Sequence, residues 1–64
     1  MSEQYTAAEY AEEFKRFERS PLWELLNIKR ALSSFSWENT SEQWARLAAV
    51  KELIRRKRIR AAKR

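Results

Sequence analysis

Residues 5–21 read YTAAEYAEEFKRFERSP and contain both the start signal and the stop signal of a first helix. Thr6 and Glu9 have the spacing of a capping box, in which each side chain bonds the backbone N–H of the other residue. The apolar residues that follow recur at helical spacing on about one third of the circumference, which is typical of an amphipathic helix. We predict this helix over about residues 7–19. Its apolar stripe consists of Ala7, Tyr10, Ala11, Phe14 and Phe17.

The dipeptide Ser20-Pro21 ends the first helix and begins the second. Serine is a favourable N-cap residue, and proline suits the first helical position because the N–H it lacks would have no helical partner there. We predict the second helix over about residues 21–35. Its apolar residues spread over more than half of the circumference, which is wider than one buried face requires. We therefore expect this helix either to be sandwiched between the other two or to be partly committed to another chain.

A second capping box precedes the third helix. Thr40 pairs with Gln43 in this box, although Asn39 with Glu42 has almost equally suitable chemistry. We predict the third helix over about residues 41–62. At about 1.5 Å per residue it is about 30 Å long, against about 20 Å for each of the other two, so its last turns should extend beyond them. The predicted fold class is all-α, a helical hairpin followed by a longer basic C-terminal helix.

The charge is segregated along the chain. Residues 1–28 contain 6 acidic and 3 basic side chains, whereas residues 29–64 contain 3 acidic and 11 basic ones. Seven of the ten residues in 55–64 are cationic. This pattern predicts a small helical bundle over residues 1–54 and a basic helical extension over residues 55–64. The candidate residues for binding nucleic acid or an acidic partner are Lys51, Arg55, Arg56, Lys57, Arg58, Arg60, Lys63 and Arg64.

Three interpretations fit the basic segment. Its cations could neutralise the phosphates of nucleic acid, grip the carboxylates of an acidic protein surface, or simply keep a small apolar bundle in solution. All eight aromatic residues precede residue 45, so the segment itself has no stacking platform of the kind that single-strand binders use. Backbone tracking or groove insertion is therefore the expected mode. A helix-turn-helix remains open, although such motifs read bases from the N-terminal end of the second helix, whereas these cations lie at the C-terminal end.

The tryptophans are candidates for the core and for a protein interface. Trp44 lies on the predicted apolar side of the third helix, and we expect it in the core. Trp23 lies opposite the apolar stripe of the second helix. There it is either an exposed interface residue or packs over the turn between the first and second helices, against Phe17 or Tyr5. Trp37 is expected to close the bundle end or to anchor a partner. The protein-interface candidates are Trp23, Asn27, Arg30 and Trp37.

The acidic residues of the first helix share part of one face. Their spacing can support a metal site in helical bundles, but such sites also use histidine, and the chain has none. We expect no metal and a solvated acidic face, with Glu24 as the only inward-facing acidic candidate. The face consists of Glu9, Glu12 and Glu13, and the predicted surface ion pairs are Glu12–Arg16, Glu42–Arg46 and Glu52–Arg56.

The composition excludes most enzyme classes. The 64 residues include no histidine, cysteine or glycine, which removes Ser-His and Cys-His nucleophiles, the common zinc sites and the glycine-rich phosphate loops. We expect no catalytic activity, no cofactor and no small-molecule substrate. No apolar run approaches the ~18 residues of a membrane span, and the first residues lack the features of a secretory signal, so we expect a soluble cytoplasmic protein.

The predicted function is that of a small adaptor or accessory protein. Its basic helix would bind DNA or RNA electrostatically, while the helical body docks a protein partner or a second copy of itself. The alternative is an inhibitor, assembly factor or scaffold piece whose basic helix grips an acidic protein surface. In general style the chain resembles the small, cysteine-free, highly charged helical proteins that phages and mobile elements encode.

Overall fold

Three helices make up the fold. The structure, a computed structural model, describes residues 5–34 and 39–62, and this part of the chain contains α1 (Ala7–Phe17), α2 (Leu22–Ser34) and α3 (Ser41–Ala62) and no strand. The predicted all-α fold class is confirmed. α3 begins at Ser41 as predicted and is helical to Ala62, the last described residue. α1 ends two residues earlier than predicted and α2 begins one residue later, while the predicted end of α2 at residue 35 lies outside the described residues.

The capping box predicted for α1 is present. The Thr6 hydroxyl accepts a hydrogen bond from the Glu9 N–H at 3.1 Å, and the Glu9 carboxylate accepts one from the Thr6 N–H at 2.9 Å. The Tyr5 and Tyr10 rings stack at a centroid distance of 6.2 Å, which fixes the direction in which the chain enters the helix.

The turn between α1 and α2 explains why both helices are shorter than predicted. The Ser20 N–H donates to the carbonyl of Phe17 at 3.0 Å, and this tight turn ends α1. The Pro21 carbonyl accepts from the N–H groups of Glu24 and Leu25 at 3.1 and 3.2 Å. Pro21 therefore occupies the N-cap position of α2, whereas the sequence predicted it at the first helical position.

The hydrogen bonds at the start of α3 show which of the two predicted capping boxes forms, Thr40 with Gln43 or Asn39 with Glu42. The Gln43 N–H donates to the Thr40 hydroxyl at 3.3 Å, and the Thr40 N–H donates to the Gln43 side chain at 2.9 Å. Asn39 instead donates its side-chain amide to the carbonyl of Leu32 at 3.0 Å, which ties the connection back to α2. At about 1.5 Å per residue the 22 residues of α3 span about 33 Å, roughly twice the length of α1.

The core forms around α3, which packs against both α1 and α2. Of the two alternatives for α2, the sandwiched position is therefore wrong, because α3 lies in the middle, and its partial commitment to another chain stays a prediction. Two neighbouring faces of α3 are buried, and one of them is formed by the small side chains of Ala45 and Ala49. The buried apolar residues are Leu25 of α2 and Ala45, Leu47, Ala49, Val50, Leu53 and Ile54 of α3.

Trp44 does not belong to this core. It is half-buried and precedes the buried Leu53 by nine residues, which is two and a half helical turns and places it on the opposite side of α3. The expectation of a core tryptophan is therefore wrong. The rings that pack against the core are those of Phe14 and Phe17 from α1.

Candidate nucleic-acid interface

The first group of cations lies on the outer side of α3. Lys51, Arg55 and Arg58 follow one another at spacings of four and three residues, so they form one stripe along the helix. At 100° per residue this stripe lies roughly opposite the buried Leu53, and all three side chains are exposed. We call these three residues the outer stripe.

The second group of cations faces α1. Arg56, Lys57 and Arg60 line a cavity of about 140 Å³ together with Phe14, Glu18 and Leu53. Arg56 and Arg60 are exposed and Lys57 is half-buried. We call Arg56, Lys57 and Arg60 the groove cations. The predicted binding residues of α3 are thus present on two faces of the helix, whereas Lys63 and Arg64 lie outside the described residues.

Glu52 forms ion pairs with Arg55 of the outer stripe and with Arg56 of the groove cations. Arg55 donates to both carboxylate oxygens, Nε to Oε1 at 3.2 Å and Nη2 to Oε2 at 2.7 Å, and Arg56 donates Nε to Oε2 at 2.7 Å. These hydrogen bonds lower the pKa of Glu52 to about 2 and raise the pKa of Arg55. The ion pair predicted between Glu52 and Arg56 is confirmed, and Arg55 joins it at a spacing of three residues.

This cluster keeps a positive charge. One carboxylate pairs with two guanidinium groups, and the side chains of Arg55 and Arg56 remain 61% and 59% exposed. Within residues 5–34 and 39–62, no carboxylate pairs with Lys51, Lys57, Arg58 or Arg60. The outer stripe and the groove cations therefore present an excess of positive charge to solvent, with Arg55 and Arg56 held in fixed orientations.

Aromatic rings of α1 lie beside the groove cations. The Arg56 guanidinium is 5.2 Å from the centroid of the Phe14 ring, and the Tyr10 and Phe14 rings lie 6.0 Å apart with an interplanar angle of 32°. Tyr10, Ala11, Phe14 and Arg56 line an open cavity of about 290 Å³. The basic segment has no aromatic residue of its own, but the fold places two rings against it.

The sequence analysis did not predict this arrangement, because the basic segment itself contains no aromatic residue. The contact joins residues 14 and 56, which come together only when α1 packs on α3. The available signal was the spacing of Tyr10 and Phe14, which places two large rings on one face of a short helix.

Glu13 is used in the interior rather than in a solvated acidic face. It is only 3% exposed, and its Oε1 accepts a hydrogen bond from Arg46 Nε at 2.9 Å, while Arg16 lies 3.7 Å from Oε2. The expectation of a solvated face is wrong for Glu13. Arg46 joins α3 to α1 instead of forming the pair predicted with Glu42, and it also lies 5.7 Å from the Phe17 ring centroid.

The other two acidic residues of the predicted face, and Glu24 of α2, have structural partners or are at least partly exposed. Glu9 accepts a hydrogen bond from the Ser41 hydroxyl at 3.0 Å, and its pKa is lowered, first by the Thr6 N–H and then by Ser41. Glu12 is exposed, and the pair predicted for it with Arg16 gives way to the contact between Arg16 and Glu13. Glu24, the predicted inward-facing acid, is half-buried. Among the described residues no group of acidic side chains has the arrangement of a metal site.

Three of the four predicted protein-interface residues lie on α2. Trp23 is 66% exposed, so of its two alternatives the exposed position is the one observed. Asn27 and Arg30 are also exposed, and their spacing from Trp23 places all three on one side of the helix. Trp37 lies outside the described residues.

No helix in the described part of the chain is long and apolar enough to cross a membrane. Comparisons of the chain with protein families, curated proteins and solved structures find no match.

Proposed function

We propose that this chain is a small, non-enzymatic accessory protein of the cytoplasm that binds nucleic acid through the C-terminal half of α3. Residues 51–60 carry six cationic side chains and one carboxylate. The observation that carries the proposal is the placement of these six cations. They form the outer stripe and the groove cations, and each of them is exposed or half-buried. Within residues 51–60, Glu52 supplies the one opposing charge. The body formed by residues 1–54 would then dock a protein partner or a second copy of the chain.

The spacing of these cations suits a phosphate backbone. Lys51 and Arg58 of the outer stripe are seven residues apart on one face, which is about 10 Å along the helix axis. A single strand of B-form DNA carries a phosphate about every 3.4 Å, so this length covers about three phosphates. Arg55 and Arg56 can meet a phosphate with planar, multidentate hydrogen bonding, and Glu52 already restricts their side-chain rotamers. A merely solubilising tail would need no such alignment.

The test compares two triple variants that remove equal charge. Lys51→Gln/Arg58→Gln/Arg60→Gln changes residues of the proposed interface. Lys15→Gln/Arg19→Gln/Arg30→Gln is the matched control, because those cations are exposed and have no carboxylate partner in the described residues.

The assay is the fluorescence anisotropy of labelled DNA and RNA oligonucleotides at fixed salt. We expect the α3 triple variant to bind at least about tenfold more weakly than wild type, and the control to lose much less. Equal losses in the two variants, or a wild-type protein that leaves the anisotropy unchanged, would contradict the proposal.

The exposed Trp23 favours a second candidate function, the docking of a protein partner. Tryptophan and arginine are enriched at the energetic centres of interfaces, and here Trp23 shares a side of α2 with Arg30. In this alternative the chain is an inhibitor, assembly factor or scaffold piece, and the basic helix grips an acidic protein surface.

A capture experiment from native cell extract, with and without nuclease, distinguishes the two functions. A partner that survives nuclease treatment and is lost with Trp23→Ala supports protein docking. A partner that nuclease removes, with Trp23→Ala indistinguishable from wild type, argues for nucleic acid alone.

A further inference from the structure

We propose that the groove between α1 and the C-terminal half of α3 binds single-stranded nucleic acid, with an unstacked base against Tyr10 and Phe14 and the adjoining phosphates on the groove cations. This inference rests on the proposed function and names the form of nucleic acid that the groove fits.

The groove is continuous along the α1–α3 boundary. The cavity of about 290 Å³ and the cavity of about 140 Å³ share Phe14 and Arg56 as lining residues. The larger cavity has the two rings and the exposed Ala11 as an apolar wall, and the smaller one adds Lys57 and Arg60. An apolar surface therefore lies directly beside a cationic one. This arrangement matches a nucleotide, in which an apolar base face lies next to a charged phosphate.

Arg56 lies where these two surfaces meet. One side of its guanidinium faces the Phe14 ring at 5.2 Å, and its Nε is bonded to Glu52, yet its side chain remains 59% exposed. A planar guanidinium held in this way can stack on a base or donate its outer N–H groups to a phosphate. Glu52 and Phe14 thus orient Arg56 before any ligand arrives.

The rings favour a single strand over a duplex. In a duplex the faces of the bases are covered by their neighbours, so a protein ring can reach only the edges. In a single strand a base can unstack and lie on an aromatic side chain, and this contact needs no particular sequence because every base has a π-face. Tyr10 and Phe14 are half-buried and line the larger cavity, so part of each side chain stays open to a ligand there.

Glu18 opposes the binding of a phosphate in the smaller cavity. It is exposed and lines this cavity together with the groove cations, so its carboxylate repels a phosphate there. We expect Glu18→Gln to tighten binding.

The test uses fluorescein-labelled oligothymidylate of about 12 nucleotides and a labelled duplex of about 12 base pairs, each titrated by fluorescence anisotropy. Two variants address the groove. Tyr10→Leu removes a ring while keeping an apolar side chain, and Ala11→Glu places a carboxylate on the apolar wall at an exposed helical position. Ala31→Glu on α2 is the matched control, since Ala31 is also exposed and lines neither cavity. Circular dichroism confirms that each variant is folded.

We expect wild type to bind oligothymidylate more tightly than the duplex. Tyr10→Leu and Ala11→Glu should each weaken binding of oligothymidylate by about fivefold or more and leave duplex binding nearly unchanged, while Ala31→Glu behaves like wild type. If Tyr10→Leu does not fold, the comparison of Ala11→Glu with Ala31→Glu decides alone.

Several results would overturn the groove while sparing the proposed function. One is salt-sensitive binding of both probes that Tyr10→Leu and Ala11→Glu leave unchanged, and another is an equal loss for single strand and duplex. Binding of neither probe would overturn the proposed function as well. A poly-glutamate peptide that binds more tightly than oligothymidylate, and loses affinity with Tyr10→Leu, would assign the groove to an acidic protein segment instead.

Discussion

Replacing Arg46 with methionine should destabilise the protein more than any other single loss of charge in its described residues. Arg46 Nε lies 2.9 Å from Glu13 Oε1, and the two side chains are 26% and 4% exposed. Methionine keeps an apolar side chain of similar reach against Phe17 but leaves the Glu13 carboxylate without its main partner. The variant therefore tests whether this ion pair joins α1 to α3.

The expected magnitude follows from the burial of the pair. Removing one partner of a buried ion pair costs about 3–5 kcal/mol. Here the Arg46 end reaches solvent and Arg16 lies 3.7 Å from the second carboxylate oxygen, which reduces the loss to about 2–3 kcal/mol. A domain of this length has a free energy of unfolding of about 3–10 kcal/mol, so the variant loses a large part of it.

Urea unfolding at neutral pH, followed by far-UV circular dichroism, measures this loss. With a slope of about 1 kcal/mol per molar urea, the midpoint should fall by about 2–3 M. Arg19→Met is the control, because Arg19 is exposed and has no carboxylate partner in the described ranges, and it should change the free energy of unfolding by less than about 0.5 kcal/mol.

A double-mutant cycle with Glu13→Gln isolates the pair itself. We expect a coupling free energy of about 1–3 kcal/mol between Glu13→Gln and Arg46→Met. Additive effects of the two substitutions, or an Arg46→Met variant as stable as Arg19→Met, would refute the role assigned to this ion pair.

Three further predictions concern the core, the first cap and the acid limit of stability. Leu25→Ala empties a fully buried position and should cost about 2–5 kcal/mol, so unchanged thermal unfolding would contradict the described core. Thr6→Ala removes the hydroxyl that caps α1 and should cost about 1 kcal/mol, whereas Thr6→Ser should be nearly neutral in the same urea assay. The folded-state pKa of Glu52 is depressed to about 2 from 4.5, so its stabilising contribution is complete above pH 4.5 and is lost as the pH falls toward 2. The difference in urea midpoint between wild type and Glu52→Gln should therefore shrink over that range, and a difference that stays constant with pH would contradict the assignment.

The sequence predicts the helices well because their limits are local. The capping boxes at Thr6 and Thr40 each involve residues three positions apart, so the chain itself brings the partners together. The packing order of the helices is not local. Leu53 and Trp44 have similar apolar character, and only the positions of α1 and α2 decide that one is buried and the other half-exposed.

The candidate interface divides in the same way. The density of cations in residues 51–60 follows from the composition, and helical spacing places Trp23 opposite the apolar stripe of α2, whereas its 66% exposure is decided by the fold. The ring of Phe14 beside Arg56 does not, because it depends on how α1 crosses α3. The burial of Glu13 could not be predicted from the sequence either, because its partner Arg46 lies 33 residues away along the chain.

The salt dependence of oligothymidylate binding tests the nucleic-acid interface most directly. Each phosphate neutralised on a single strand contributes about −0.7 to the slope of log affinity against log salt concentration, so contact by most of the six cations gives a slope of about −3 to −4. Lys51→Gln/Arg58→Gln/Arg60→Gln should make this slope about 2 shallower. A slope near zero for wild type, or an unchanged slope in the triple variant, would show that these cations do not bind phosphate.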